Sequence, residues 1–135
     1  MRSTTDSTSA YVLVVDDEEK IGRFVCTLLK QVGYQACTCQ KVEEARRLLA
    51  NGHWHFVITD IVIPHENGFD LIRWTQANHP ELPVVAMTAH STEAVLHQIN
   101  QLGFAAILHK PFTVDYFYQV VQQIDPKRPI KPIFD

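Results

Sequence analysis

Two short runs of β-prone residues, each closed by aspartate, constrain the fold of this 135-residue chain more than any other feature. The run from Phe56 to Thr59 ends at Asp60, and the run from Tyr11 to Val15 ends at the pair Asp16-Asp17. A continuous apolar run of this length is typical of a strand that is buried on both faces of a sheet. The carboxyl ends of such strands lie at the sheet edge where open α/β folds bind ligands. We therefore predict that two buried strands deliver carboxylates to one edge of one sheet.

Strand and helix patterns alternate along the whole chain. Apolar residues recur at helical spacing after each predicted strand, and Gly, Asn or Pro ends most of the helical stretches. The predicted strands are 11–15, 34–39, 55–60, 83–88 and 104–109, and the predicted helices are 18–32, 41–50, 68–78, 91–102 and 113–124. Five such units with short connections favour right-handed crossovers. The pattern predicts an α/β fold with a doubly wound, five-stranded parallel sheet.

The length and composition fit one domain with polar ends. A chain of 135 residues can bury a core without disulfides, and its 46% hydrophobic and 20% charged residues are ordinary for a globular protein. We expect residues 1–10 to be a disordered lead-in, 11–125 to be the folded domain, and 126–135 to be a Pro/Lys-rich tail or the start of a linker. The first ten residues lack the apolar segment of a signal peptide, so we expect a cytoplasmic location.

Charge and hydropathy argue against two kinds of partner. A net charge of -3 and a pI near 6.1 argue against direct nucleic-acid binding. No apolar run approaches the roughly 20 residues that span a bilayer, which argues against a membrane partner. The cysteines Cys26, Cys37 and Cys39 follow no disulfide or metal-binding pattern, and we expect them to be small buried hydrophobic residues.

The predicted fold gathers polar side chains at the carboxyl ends of its strands. Asp16, Asp17 and Asp60 would repel one another at neutral pH unless they bind protons or share a cation. An all-oxygen cluster favours Mg²⁺, with Mn²⁺ as an alternative. Thr88 and Lys110, at the ends of the last two strands, are donors suited to the oxygens of a phosphoryl group. Asp60 is the lone acid on the central strand and is therefore our candidate phosphoryl acceptor.

The residues at these strand ends match a known family. The set comprises Asp16-Asp17, Asp60 with Pro64 and Gly68, Thr88-Ala89, and Lys110-Pro111. It resembles the receiver domain of bacterial response regulators, which has the flavodoxin-like, CheY-like three-layer sandwich fold. The resemblance extends over nearly the whole chain, from Tyr11 to Ile124.

The resemblance implies a two-component phosphorelay function. Asp60 would accept a phosphoryl group from the phosphohistidine of a sensor histidine kinase or phosphotransfer domain, and the resulting switch would act on a downstream protein or a fused output domain. The domain would assist its own phosphorylation and dephosphorylation rather than act as an enzyme. The implied magnesium ligands are Asp16 (mainly through water), Asp17, Asp60 and the backbone carbonyl of Val62, and the implied phosphoryl-binding residues are Thr88 and Lys110. The Lys110-Pro111 bond would be cis.

Some positions near the site are expected to set switching and phosphoryl lifetime. Where the family commonly has Tyr or Phe, this chain has Ile107, and we expect phosphorylation to affect residues 88–102 even without that aromatic ring. His90, which follows Ala89, and Val62 occupy positions at which the family tunes hydrolysis. The resemblance also implies that Ala89 and Pro111 belong to the switching and tuning positions. The hypothesis for Val62 is that an apolar side chain gives attacking water no partner, so that the phosphoryl group is long-lived.

Two other functions use similar residues. A degenerate receiver would serve only as a protein-interaction module, although the full set of acids, Thr and Lys argues against that. A small phosphatase of the haloacid-dehalogenase type also uses a strand-end Asp nucleophile with Mg²⁺. That family has its acids as Asp-x-Asp on the first strand, whereas Asp16 and Asp17 are adjacent.

Overall fold

In this computed structural model, residues 10–63, 66–89 and 92–127 are described, apart from the side chains of residues 66–68. The strands are β1 (Tyr11–Val15), β2 (Gln35–Cys39), β3 (Phe56–Asp60), β4 (Val62–Ile63), β5 (Glu66–Asn67), β6 (Val84–Thr88) and β7 (Ala106–His109). The helices are α1 (Glu19–Gln31), α2 (Val42–Ala50), α3 (Gly68–Asn78), α4 (Glu93–Leu102) and α5 (Val114–Ile124). The lead-in 1–9, the end of the tail and the predicted site residue His90 lie outside the described residues.

The main sheet has five parallel strands in the order β2-β1-β3-β6-β7. The chain moves outward from β1 to β2, crosses back to β3, and then proceeds to the other edge, which is the doubly wound topology. This confirms the predicted fold class. In this order β1 and β3 are neighbours, so the acids that follow them come together. Within the described residues, no helix is both long and apolar enough to cross a membrane.

Two hydrophobic clusters cover the two faces of the sheet because alternate strand residues point to opposite faces. One cluster joins Val12 and Ile58 to residues of α1 and α5, such as Phe117. The other joins Leu13 and Val57 to residues of α2, α3 and α4. All five residues of β3 are buried, as the continuous apolar run predicts. Both faces of the sheet are therefore covered, and its carboxyl edge carries the predicted site residues.

The helix boundaries agree with the sequence pattern to within about two residues, as is usual for assigned helix ends. The Thr92 hydroxyl accepts a hydrogen bond from the Val95 N–H and so caps the start of α4. Gly103 ends the same helix with φ +75°, a backbone conformation that favours glycine. Thr113 caps α5 in the same way through the Tyr116 N–H.

The structure corrects three details of the sequence reading. A short antiparallel ribbon, β4 with β5, follows β3 and was not predicted. Phe24 fits the apolar spacing of α1, yet it is 47% exposed. It lies at the edge of that helix and stacks on Phe112, with ring centroids 6.3 Å apart. Cys37 is exposed in the middle of the edge strand β2, whereas Cys39 at the end of the same strand and Cys26 on α1 are buried, and all three are free thiols.

Candidate functional site

Three carboxylates converge at the carboxyl edge of the sheet. Asp16 and Asp17 follow β1 directly and Asp60 ends β3, and the two strands pair in register up to Val15 opposite Thr59. One oxygen atom from each of the three acids lies within 4.8 Å of the others. Asp16 and Asp60 are buried and Asp17 is partly exposed. The predicted acid cluster is therefore present as a geometric feature.

The ammonium group of Lys110 lies between the two buried carboxylates. Its Nζ donates to Asp16 Oδ2 at 2.8 Å and to Asp60 Oδ2 at 2.6 Å. Only 9% of the Lys110 side chain is exposed. Burial on its own would lower the pKa of Lys110, but the hydrogen bonds to Asp16 and Asp60 and the charges of these acids outweigh it and raise the pKa above its ordinary value. Lys110 is thus charged at neutral pH and partly neutralises the cluster.

Backbone N–H groups hold the same two carboxylates from their other side. Asp16 Oδ1 accepts from the Glu18 N–H, and Asp60 Oδ1 accepts from the Val62 N–H, both at 2.8 Å. Each buried acid therefore has one oxygen on the backbone and the other on the lysine. Within the described ranges the Asp17 carboxylate makes no hydrogen bond or ion pair, which leaves it available to a ligand.

Thr88 lies on the strand next to Asp60. It is the last residue of β6 and is fully buried, and Met87 just before it is the register partner of Asp60. The Lys110 N–H donates to the Thr88 carbonyl at 2.8 Å, so the backbones that carry these two predicted site residues are joined directly. The Lys110-Pro111 peptide bond is cis, as predicted.

The acid cluster, Lys110 and Thr88 agree with the protein family that the sequence matches. Residues 12–122 match the response regulator receiver domain family. The chain belongs to this family. This receiver domain is similar to the DNA-binding transcriptional regulator NtrC of Rhizobium meliloti (strain 1021). The two sequences are 31% identical over 123 residues, which cover 90% of this chain and 25% of NtrC. It therefore spans about a quarter of the length of that curated relative.

Solved receiver structures superpose on nearly all of the chain. The non-phosphorylated HemR receiver domain from Leptospira biflexa has a TM-score of 0.80 and 27% identity, over 90% of this chain and 99% of that one. The response regulator protein TrrA from Thermotoga maritima, in complex with Mg²⁺-BeF, has a TM-score of 0.77 and 24% identity, over 85% of this chain and 98% of that one. At 24% identity the second likeness shows the fold alone.

Those expected tuning positions that the structure describes lie around the acid cluster and along β7. The Val62 side chain is 47% exposed beside Asp60, and Ala89 and Pro111 line a cavity together with Lys110. Ile107 is partly buried in β7 and packs against the hydrophobic cluster on the α4 side. Its carbonyl accepts a hydrogen bond from the Tyr116 hydroxyl at 3.0 Å. The aromatic side chain that contacts β7 at this point thus comes from α5.

One residue at the site of this receiver domain was missed from the sequence. Glu18 Oε1 lies 3.8 Å from Lys110 Nζ, so a third carboxylate shares the ammonium. The available signal was the acid that directly follows Asp16-Asp17, but acids in that position are also typical of the first turn of a helix.

The donor atoms of this receiver domain fit a hard divalent cation. Three carboxylates with oxygens within 4.8 Å of one another are present, one of them unpaired, and no Cys or His among the described residues joins them. Such an oxygen-only set suits Mg²⁺ or Mn²⁺ better than Zn²⁺. A single lysine cannot neutralise three acids, so an added cation would also relieve their repulsion.

Proposed function

We propose that Asp60 accepts a phosphoryl group from a phosphohistidine on a sensor histidine kinase or phosphotransfer domain. The observation that carries this proposal is the Lys110 ammonium, which lies 2.6 Å from Asp60 Oδ2 within the acid cluster. In the transfer, an Asp60 carboxylate oxygen forms a bond to phosphorus while the P–N bond of the donor breaks. The electron pair of that bond stays on the imidazole nitrogen. When the other ring nitrogen of the phosphohistidine carries a proton, the products are an aspartyl phosphate and a neutral histidine.

The residues around Asp60 supply positioning and charge. We assign Lys110 and Thr88 to the phosphoryl oxygens, where a cation and a hydroxyl stabilise negative charge in a site shielded from water. Lys110 can change partner with little movement because it already contacts Asp60 and Asp16. The Val62 N–H fixes the other Asp60 oxygen and so limits which oxygen attacks. This division of labour is typical of phosphoryl transfer, in which the protein mainly orients the reacting groups.

We assign Mg²⁺, with Mn²⁺ as an alternative, to Asp16, Asp17, Asp60 and the backbone carbonyl of Val62. When bound, such an ion supplies positive charge that offsets the charge of the phosphoryl oxygens. The Asp17 carboxylate is partly exposed and has no partner among the described residues, which supports a direct ligand role. Asp16, which is fully buried and paired with Lys110, suits a role through water. The Mg²⁺-BeF complex of TrrA supports the same kind of ion.

We place the protein in a cytoplasmic signalling pathway in which phosphorylation alters a downstream protein or a fused output domain. The relation to NtrC supports an output domain, and the net charge of -3 supports no direct nucleic-acid binding by this domain. We also propose that the domain promotes loss of its own phosphoryl group and has no other enzyme activity. The phosphatase alternative lacks the Asp-x-Asp spacing, and the complete set of site residues disfavours a degenerate receiver.

Phosphate uptake from acetyl phosphate tests this function. The wild type should incorporate one phosphoryl group when Mg²⁺ is present, and Asp60→Asn should incorporate none. Asp70→Asn is the matched control, because Asp70 is an exposed acid of α3 that pairs with Arg73 away from the cluster. No uptake by the wild type would favour the interaction module. Sustained turnover of a generic phosphomonoester would favour the phosphatase.

A further inference from the structure

Glu18 lies at the rim of the candidate site and shares the Lys110 ammonium with two buried carboxylates. Its Oε1 is 3.8 Å from Lys110 Nζ, and its side chain is 61% exposed. The Glu18 N–H donates to Asp16 Oδ1 at 2.8 Å, so the base of this side chain is fixed relative to the buried acids. Glu18 thus combines an anchored backbone with a carboxylate that faces solvent.

The opening beside Lys110 passes this carboxylate. A cavity of about 400 Å³ is lined by Glu18 and Lys110 together with Ala89, Pro111 and apolar side chains such as Phe24. An anion that reaches the ammonium through this cavity meets the negative charge of Glu18 on the way. The other described residues that line the cavity are apolar and carry no compensating charge.

An exposed ion pair of this kind contributes little to stability because water screens it. A charge at the rim of a binding site instead changes the rate of association and its dependence on salt. The repulsion grows in proportion to the charge of the approaching group. Glu18 should therefore discriminate between donors by their net charge.

We propose that Glu18 is a specificity-determining residue that disfavours small, highly charged phosphoryl donors at Asp60. This inference rests on the proposed phosphoryl-acceptor function. A phosphohistidine carried by a protein escapes the penalty when its surroundings present Lys or Arg to Glu18. The favoured partner is therefore a donor domain with a basic residue beside its phosphohistidine.

The test compares two small donors of different charge. Acetyl phosphate is a dianion at neutral pH, and phosphoramidate is a net monoanion. With Mg²⁺ at a saturating concentration and low salt, Glu18→Gln should raise the second-order rate of phosphorylation by about 3-fold to 5-fold for acetyl phosphate and by about 2-fold for phosphoramidate. Both gains should shrink towards none at about 0.5 M salt, where the Debye length is only a few ångströms.

Glu19→Gln is the matched control. Glu19 is also exposed but lies 3.6 Å from Arg23 on α1, and neither rate should change when it is replaced. Equal gains for both donors, no gain, or the same gain in the control would overturn the inference while leaving the function intact. A wild type that takes up no phosphate would overturn both.

Two further measurements need no phosphoryl donor. Calorimetry should show that Glu18→Gln weakens Mg²⁺ binding by about 2-fold relative to Glu19→Gln, because the nearer charge attracts the cation more strongly. Equal Mg²⁺ affinities in the two variants would contradict the inference that the charge of Glu18 acts on the site. The thermal unfolding midpoint should be unchanged in both, and a lower midpoint for Glu18→Gln alone would assign it a structural role instead.

Discussion

Lys110 is the residue on which the acid cluster depends in the absence of a metal. It is nearly buried and donates to Asp16 and Asp60, both of which are also buried. Such an ion pair adds little net stability compared with apolar residues, but removal of one partner leaves an uncompensated buried charge. Here removal of the cation would leave two such charges, which repel each other.

Replacement of Lys110 should therefore destabilise the metal-free protein. Lys110→Met keeps an apolar stem of similar length, and we expect a loss of about 3 kcal/mol in the free energy of unfolding. Added Mg²⁺ should recover more stability in the variant than in the wild type, because the ion replaces the missing charge. Urea denaturation with and without Mg²⁺ measures both effects. Lys20→Met, at an exposed position of α1, is the control, and equal stability of the two variants would contradict the account.

The Val62 side chain is predicted to affect how long the phosphoryl group stays on Asp60. Its side chain is half-exposed beside Asp60 and has no group that could orient an attacking water. Val62→Asn should therefore speed the spontaneous loss of phosphate, whereas Val62→Leu should not. The decay of labelled phosphoprotein after removal of the donor measures this rate. If the wild type loses phosphate quickly and Val62→Asn has the same rate, Val62 has no role in the lifetime of the phosphoryl group.

The sequence predicted those site residues that end strands, because a buried run followed by an acid, Thr or Lys defines a position on the sheet edge. Asp16, Asp17, Asp60 and Lys110 were predicted in this way, and the structure brings them together. Their roles in phosphoryl transfer stay predictions. The contact between Glu18 and Lys110 could not be predicted, because it depends on the rotamer of an exposed side chain rather than on strand register.

At the scale of single elements, α1 packs unusually closely on β2. A Cβ atom added to Gly22 would overlap the Thr38 hydroxyl oxygen. That hydroxyl is itself buried and has no hydrogen-bond partner among the described residues. The pair therefore fixes the distance between helix and strand at the expense of one unsatisfied polar group.

Gly22→Ala should lower stability although Ala favours helix. We expect a loss of about 1–3 kcal/mol from overpacking, against a gain of at most about 1 kcal/mol in helix propensity. Adding Thr38→Ala removes the clashing oxygen and leaves Thr38 Cβ at an ordinary 3.5 Å, so the double variant should recover the loss. Chemical denaturation of the two single variants and the double variant forms a complete cycle. Additive effects would contradict the proposed contact.

Helical and strand periodicity predicted the long elements but not the short or marginal ones. The ribbon β4–β5 has only two residues per strand, too few for any alternation to be recognised. The spacing of Phe24 fits the apolar face of α1, but spacing alone does not locate the edge of that face. Cys37 and Cys39 lie on the same strand, and their spacing alone does not show that the core covers Cys39 but leaves Cys37 exposed.

At the scale of the whole molecule, the strands that end at Thr88 and next to Lys110 lead directly to helices α4 and α5. Thr88 ends β6, which leads to α4, and Lys110 follows β7, which leads to α5. The hydrogen bond from the Lys110 N–H to the Thr88 carbonyl joins the two strand ends. A group bound at Asp60 that moves either side chain therefore acts on both connections.

Addition of beryllofluoride with Mg²⁺ should shift backbone amide resonances over residues 88–102, even though Ile107 supplies no aromatic ring. The reason is that Thr88, at the start of this segment, is a proposed ligand of the phosphoryl oxygens. Two-dimensional NMR of the labelled protein measures the shifts, and Asp60→Asn with the same additions is the control. Shifts confined to residues next to Asp60 would mean that this chain has no long-range switch.

The central claim, that one edge of the sheet forms a magnesium-dependent phosphoryl acceptor around Asp60, is tested most directly by locating the phosphoryl group. The protein is incubated with acetyl phosphate and Mg²⁺, reduced with borohydride to trap the acyl phosphate, and analysed by peptide mass spectrometry. We expect a single trapped site at Asp60 that disappears when Mg²⁺ is chelated. A trapped site at another acid, or none in the wild type, would contradict it.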